Sequence, residues 1–141
     1  MEVFAFDLVP WCARFSTVEG REVDYWLAAQ PPGGGAVVEL PIDGQDTRLY
    51  AYYGLIHGKP IFGGQNIFPY QLDEEINAAL GEIPDRESLN LLRSVGGQYF
   101  IVDDGWYDEI HALEDLELAM TELAVRRVAV LDGYQVHVLE P

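Results

Sequence analysis

Residues 36–64, AVVELPIDGQDTRLYAYYGLIHGKPIFGG, decide how the rest of the chain is read. The apolar run Ala36-Val37-Val38-Glu39-Leu40 halts at Pro41, which has no N–H to give to a sheet ladder, so the run predicts one short, buried strand. A polar turn, Asp43-Gly44-Gln45-Asp46, leads into the aromatic segment Leu49-Tyr50-Ala51-Tyr52-Tyr53. The stretch closes on His57-Gly58-Lys59-Pro60 and Gly63-Gly64. His, Tyr and Gly at this density beside a strand end predict a surface that binds something.

Working outward, residues 22–30 have helical spacing, with Val23, Trp26 and Leu27 on one stripe and Glu22 and Asp24 in the first turn, where the helix dipole favours anions. Pro31-Pro32 ends that helix. Gly33-Gly34-Gly35 follows as a connector: a phosphate loop needs strand, glycines, then helix, and here the order is reversed and the P-loop Lys and Ser/Thr are missing. Residues 1–21 read as an extended arm whose apolar segments, 3–6 and 11–15, are split by Pro10. Beyond Gly64, residues 65–70 read as a loop with exposed aromatics. Asp73 then caps a short helix, with Ile76, Ala79 and Leu80 inward and Gly81 as terminator.

A second cap at Asp85 opens a helix whose buried stripe is Leu89, Leu92 and Val95, and Gly96-Gly97 ends it. Residues 98–102 predict another buried strand, stopping at an acidic turn, Asp103-Asp104-Gly105. A helix over 113–124 directs Leu113, Leu116, Met120 and Leu123 inward, and strands at 125–131 and 134–139 are joined by Asp132-Gly133, a favoured two-residue hairpin turn. Strand, helices and strand in sequence predict a right-handed crossover onto a parallel pair. The whole reads as α/β, with residues 1–141 forming one soluble domain: a mixed sheet, flanking helices and a C-terminal antiparallel hairpin.

Composition bounds the partners. A chain of 141 residues can bury roughly two thirds of its unfolded surface, so a core needs no staples. Asp and Glu number 24 against 8 Lys and Arg, a formal charge of −16, and such a field repels nucleic acid and anionic lipid headgroups. Cys12 is the only cysteine, which excludes an internal disulfide and a paired-cysteine zinc site. No apolar run approaches the ~18 residues of a membrane span, and the first residues lack the basic-then-apolar order of a signal peptide. The strand-like start at Met1 is read as the beginning of a piece cut from something larger.

No complete catalytic set is legible. His57, His111 and His137 lie far apart without an HxxxH or HxH pair, so neither a metal nor a cofactor is expected. His137, between Val136 and Val138, reads as solvent-facing. Residues 103–109 resemble a calcium loop in composition only. Ser16, Ser88 and Ser94 lack a GxSxG elbow, and nothing brings Cys12 to His57. Glu39, inside an apolar strand, needs a cationic partner, with Arg48 or Lys59 expected. The candidate ligand-binding residues are therefore His57, Tyr50, Tyr53, Glu39 and Asn66: rings to stack on an apolar face, and imidazole, amide and carboxylate to hydrogen-bond a sugar. The plainer role for His57 is to tie down a helix end beside Gly58. Two alternatives stay open: a small sugar-acting hydrolase using Glu39 or Asp103 with His57, and a structural module that binds a partner through residues 65–70.

Several motifs carry a resemblance: Tyr25-Trp26-Leu27-Ala28 with Gln30-Pro31, Val37-Val38-Glu39-Leu40-Pro41, Tyr50 to Tyr53, His57-Gly58-Lys59-Pro60 with Gly63-Gly64, then Pro84, Leu91-Leu92-Arg93 and Val95 to Val102. In this order, over residues 22–104, they resemble the soluble region that follows the membrane spans in large bacterial membrane proteins of the glycosyltransferase-C-like kind. The resemblance implies a domain on the extracytoplasmic face of the bacterial cell membrane, partnered by the membrane-spanning remainder of the same chain and by a glycan or lipid-linked sugar. In such proteins acidic residues in loops between membrane helices carry out the transfer. Those loops are absent from this chain, so no catalytic residue carries over, and the domain implied is an accessory one that helps to recognise a glycan or acceptor.

Overall fold

The computed structural model describes residues 19–32, 34–41, 47–62, 75, 78, 83–110 and 112–140. Among them the strands are β1 (Ala36–Leu40), β2 (Ile61–Phe62), β3 (Gly97–Asp103), β4 (Val125–Leu131) and β5 (Tyr134–Leu139), and the helices are α1 (Glu22–Ala28), α2 (Thr47–His57), α3 (Arg86–Ser94), α4 (Asp104–Glu109) and α5 (Leu113–Glu122). The strands form one mixed sheet in the order β2-β1-β3-β5-β4. β1 runs parallel to β2 and β3, with Glu39 opposite Ile101. β5 runs antiparallel to both β3 and β4, with Tyr134 opposite Asp103. The architecture is the α/β mixed sheet that the sequence predicts, with the hairpin at its C-terminal end.

Local chemistry explains the boundaries. β1 ends before Pro41, as a proline without an N–H requires. Asp85 accepts hydrogen bonds from the Glu87 and Ser88 N–H groups at 2.8 and 3.1 Å and so starts α3. Between β4 and β5, Asp132 and Gly133 both have positive φ, 50° and 78°, the left-handed pair that a tight hairpin turn demands.

Strand periodicity divides the core in two. On one face Val38, Leu40, Phe100, Val102 and Leu139 pack with Leu89 and Leu92 of α3 and Leu116 and Met120 of α5. On the other, Val37, Tyr99, Ile101 and Val136 pack with Val23 and Leu27 of α1. Glu39, Asp103 and Tyr134 continue the alternation of this second face at its far end.

Three expectations are corrected. Residues 104–109 form a helix, α4, where an acidic turn was expected, because Asp103 acts as its cap: Asp103 Oδ1 accepts from the Trp106 N–H at 3.1 Å. His137 is buried, at 4 % exposure, where a solvent-facing residue was expected. Alternation marks one face as solvent only if nothing covers it, and here helices cover both. Arg21, assigned to an extended arm, is bound into the site described below. Residues 1–18 of that arm with Cys12, His111, the loop 65–70 with Asn66, and most of the helix expected after Asp73 lie outside the described residues. Among the described residues no helix is long and apolar enough to cross a membrane.

Candidate functional site

The site grows from the last residues of the central parallel strands. Glu39 and Leu40 end β1, Asp103 ends β3, and Tyr134 begins the antiparallel β5 at the same edge. After β1 the chain continues to β2 on one side of the sheet, and after β3 it continues to β5 and β4 on the other. Where successive connections diverge in this way, the strand ends are left uncovered and a crevice forms. Here it is about 130 Å³ and is lined by Arg21, Glu39, Tyr50, Tyr53, Asp103 and Tyr134, with Leu40 and Leu49 beside them.

Arg21 organises this crevice. Its Nη1 and Nη2 donate to the two Glu39 oxygens at 3.1 and 2.6 Å, while Nε and Nη2 donate to the two Asp24 oxygens at 3.1 and 2.7 Å. Asp24 Oδ2 also accepts from the Arg21 backbone N–H at 2.9 Å, half of the reciprocal bonding that closes a helix N-terminus. The guanidinium is stacked on tyrosine faces, 3.8 Å from the Tyr53 ring centre and 4.8 Å from that of Tyr134. A planar, two-sided fork is what arginine offers and lysine does not. Glu39 therefore pairs with Arg21, and not with Lys59, which donates from Nζ to the Pro31 carbonyl at 3.2 Å.

Burial works against the Arg21 charge, but hydrogen bonds and attraction from Asp24 and Glu39 outweigh it and hold the guanidinium above its ordinary value. Burial pushes the Glu39 carboxyl up, against the opposing pull of Arg21. Burial first, then the Glu39 charge, raises Tyr50, and burial raises Tyr53, so both phenols keep their protons. Tyr50 donates its hydroxyl to the Pro41 carbonyl at 3.0 Å, which fixes that ring against the end of β1. A guanidinium has five N–H donors, and the four bonds to Asp24 and Glu39 leave one on Nη1 outside the bonds formed among the described residues. Asp103 uses Oδ1 for its cap and leaves Oδ2 outside them.

No family model, curated protein or solved structure matches the chain.

Of the residues singled out from the sequence, the fold brings Glu39, Tyr50 and Tyr53 to one crevice. His57 is not part of its lining. It ends α2, where its Nδ1 accepts from the Lys59 N–H at 3.0 Å and Gly58 adopts φ 67°, closing the helix. Burial lowers its pKa. In the neutral ring the proton then sits on Nε2, which has no hydrogen-bond partner among the described residues. Asn66 lies outside those residues. Among them, no group of three or more His, Cys, Asp or Glu side chains is placed to hold a metal ion.

Arg21, Asp103 and Tyr134 were not among the ligand-binding candidates. Arg21 lies 18 positions from Glu39, so spacing carries no trace of the pair. Asp103 did carry a signal: an aspartate directly after a predicted strand sits at the edge where α/β crevices open.

Proposed function

We propose that this chain is a non-catalytic recognition domain that takes a glycan or glycosyl acceptor in the crevice at the ends of β1 and β3, as the extracytoplasmic part of a membrane glycosyltransferase-like protein. The observation that carries the reading is the convergence of Tyr50, Tyr53 and Tyr134 with Glu39 and Asp103 at that edge. Around the Arg21 stack the tyrosines give aromatic surface for a sugar ring to pack against, and the Tyr53 and Tyr134 phenols and Asp103 Oδ2 give hydrogen-bonding directions its hydroxyls need. The membrane setting is supported by the ordered motifs over residues 22–104.

Recognition fits the crevice better than hydrolysis does. Two carboxyl groups perform glycosidase chemistry when one gives a proton and the other attacks or activates water. Both Glu39 oxygens are held by Arg21, and His57 is absent from the lining, so the pairing a hydrolase would use is not assembled.

Glycan-array binding of the chain, followed by titration of each positive, tests the reading. Tyr53→Ala is expected to weaken binding about tenfold, ~1.4 kcal/mol, with unchanged circular dichroism. An array without a positive, or binding indifferent to Tyr53, contradicts the proposal. The membrane setting is tested by the genomic reading frame: hydrophobic spans continuous with this segment are expected, and a frame without them contradicts it.

A further inference from the structure

The crevice has an unbalanced charge. Among the described residues Arg21 is its cation, and Asp24, Glu39 and Asp103 are carboxyl groups in or directly behind its wall. Among these residues the count is one positive against three negative, or against two if Glu39 holds a proton, so their sum is negative in both cases. The Arg21 charge is also largely engaged, since four of its five N–H groups donate to carboxylates at 0 % and 3 % exposure. Asp103 is different: half-buried, it keeps Oδ2 outside the bonds among the described residues. A ligand in the crevice beside Asp103 thus meets an acceptor with negative charge.

Resting on the recognition role proposed above, we infer that the crevice selects by charge: it takes a neutral or amino-bearing hydroxylated ring, rejects an anionic one such as a uronate or sugar phosphate, and Asp103 is the specificity-determining carboxylate. A carboxylate accepts hydrogen bonds from sugar hydroxyls and pairs with an ammonium group, and it cannot do either with a second anion. The crevice is partly enclosed, so the repulsion is less screened than on an open surface.

Methyl glycosides of glucose, galactose and mannose, each with its amino-sugar and uronate counterparts, separate charge from ring shape. Dissociation constants from ligand-observed NMR on the chain are expected to place each uronate at least about tenfold above its neutral sugar, with the amino sugar equal to or tighter than the neutral one. Asp103→Asn is expected to shrink the uronate penalty to about threefold and to remove any amino-sugar advantage; asparagine is itself a good helix cap, so α4 keeps its start. Without any variant, raising salt from about 0.02 M to about 0.5 M is expected to narrow the gap in the same direction. A uronate that binds as well as its neutral sugar, or a gap unmoved by both Asp103→Asn and salt, overturns the charge selection and leaves the recognition role standing. Failure of every sugar in the set to bind overturns both.

Discussion

Replacing Arg21 by methionine tests whether this residue holds the crevice together. Methionine keeps much of the aliphatic length and packing but removes the fork, breaking four hydrogen bonds and leaving two carboxylates at 0 % and 3 % exposure without the cation that pairs with them. Removing one member of a buried ion pair costs about 3–5 kcal/mol, chiefly through the charge left behind. Against a total stability of about 5–15 kcal/mol, that is a fall in Tm of roughly 10–20 °C. The loss should also depend on pH. Burial already raises Glu39 in the native protein, and without Arg21 the upward shift grows. A carboxyl whose folded pKa exceeds its unfolded one favours the fold below the unfolded value and loses that contribution as pH rises through the folded value. The deficit of Arg21→Met relative to the native chain should therefore shrink as pH falls from about 7 toward about 4. Urea denaturation followed by circular dichroism at both pH values measures it. A deficit below about 1 kcal/mol at neutral pH, within the range of an ordinary surface pair, or one that fails to shrink in acid, refutes the reasoning.

The other predictions concern single residues. His137 is pushed down to about 4 by burial and by the nearby Arg127, against the pull of Glu117. A depressed folded value means stability present above the unfolded pKa and lost as pH falls, here between about 6.5 and about 4, by up to ~3 kcal/mol. His137 bonds through Nε2 to Gln135 Oε1, so His137→Asn should flatten this part of the pH–stability curve; an unchanged acid limb contradicts the assignment. Phe100→Ala empties a fully buried position in the larger core cluster and should cost about 3–5 kcal/mol by urea denaturation. Gly35→Ala should lower Tm, because a Cβ there would meet Gln98 Cβ at 2.5 Å and the Gly96 carbonyl at 2.6 Å; a Tm unchanged or raised would show that the loop gives way.

What the sequence made legible was what local chemistry decides. Pro41 marked the end of β1, Asp85 the start of α3, and Asp132-Gly133 the turn between β4 and β5, and each signal is complete within a few residues. What stayed hidden depends on residues distant in sequence. Leu49 to Tyr53 read as an aromatic segment and belongs to α2, whose glycine at position 54 lets Ile61 approach to 3.4 Å of where a Cβ would stand. His137 looked exposed because alternation cannot reveal that helices cover both faces. Glu39 was correctly marked as needing a cation, but the partner came from the chain before α1, beyond the reach of any spacing argument. Tyr50, Tyr53 and Glu39 were singled out on residue type and position beside a strand end. That the strand end lies where the connections diverge became visible only from the sheet order.

The most direct test of the account is protein-observed NMR of the chain titrated with the neutral methyl glycosides. Shift changes should cluster on Glu39, Tyr50, Tyr53, Asp103 and Tyr134 and saturate together. Changes centred instead on His57 and Lys59, or none at any sugar concentration, would contradict the claim that the crevice at the ends of β1 and β3 is where this protein meets its ligand.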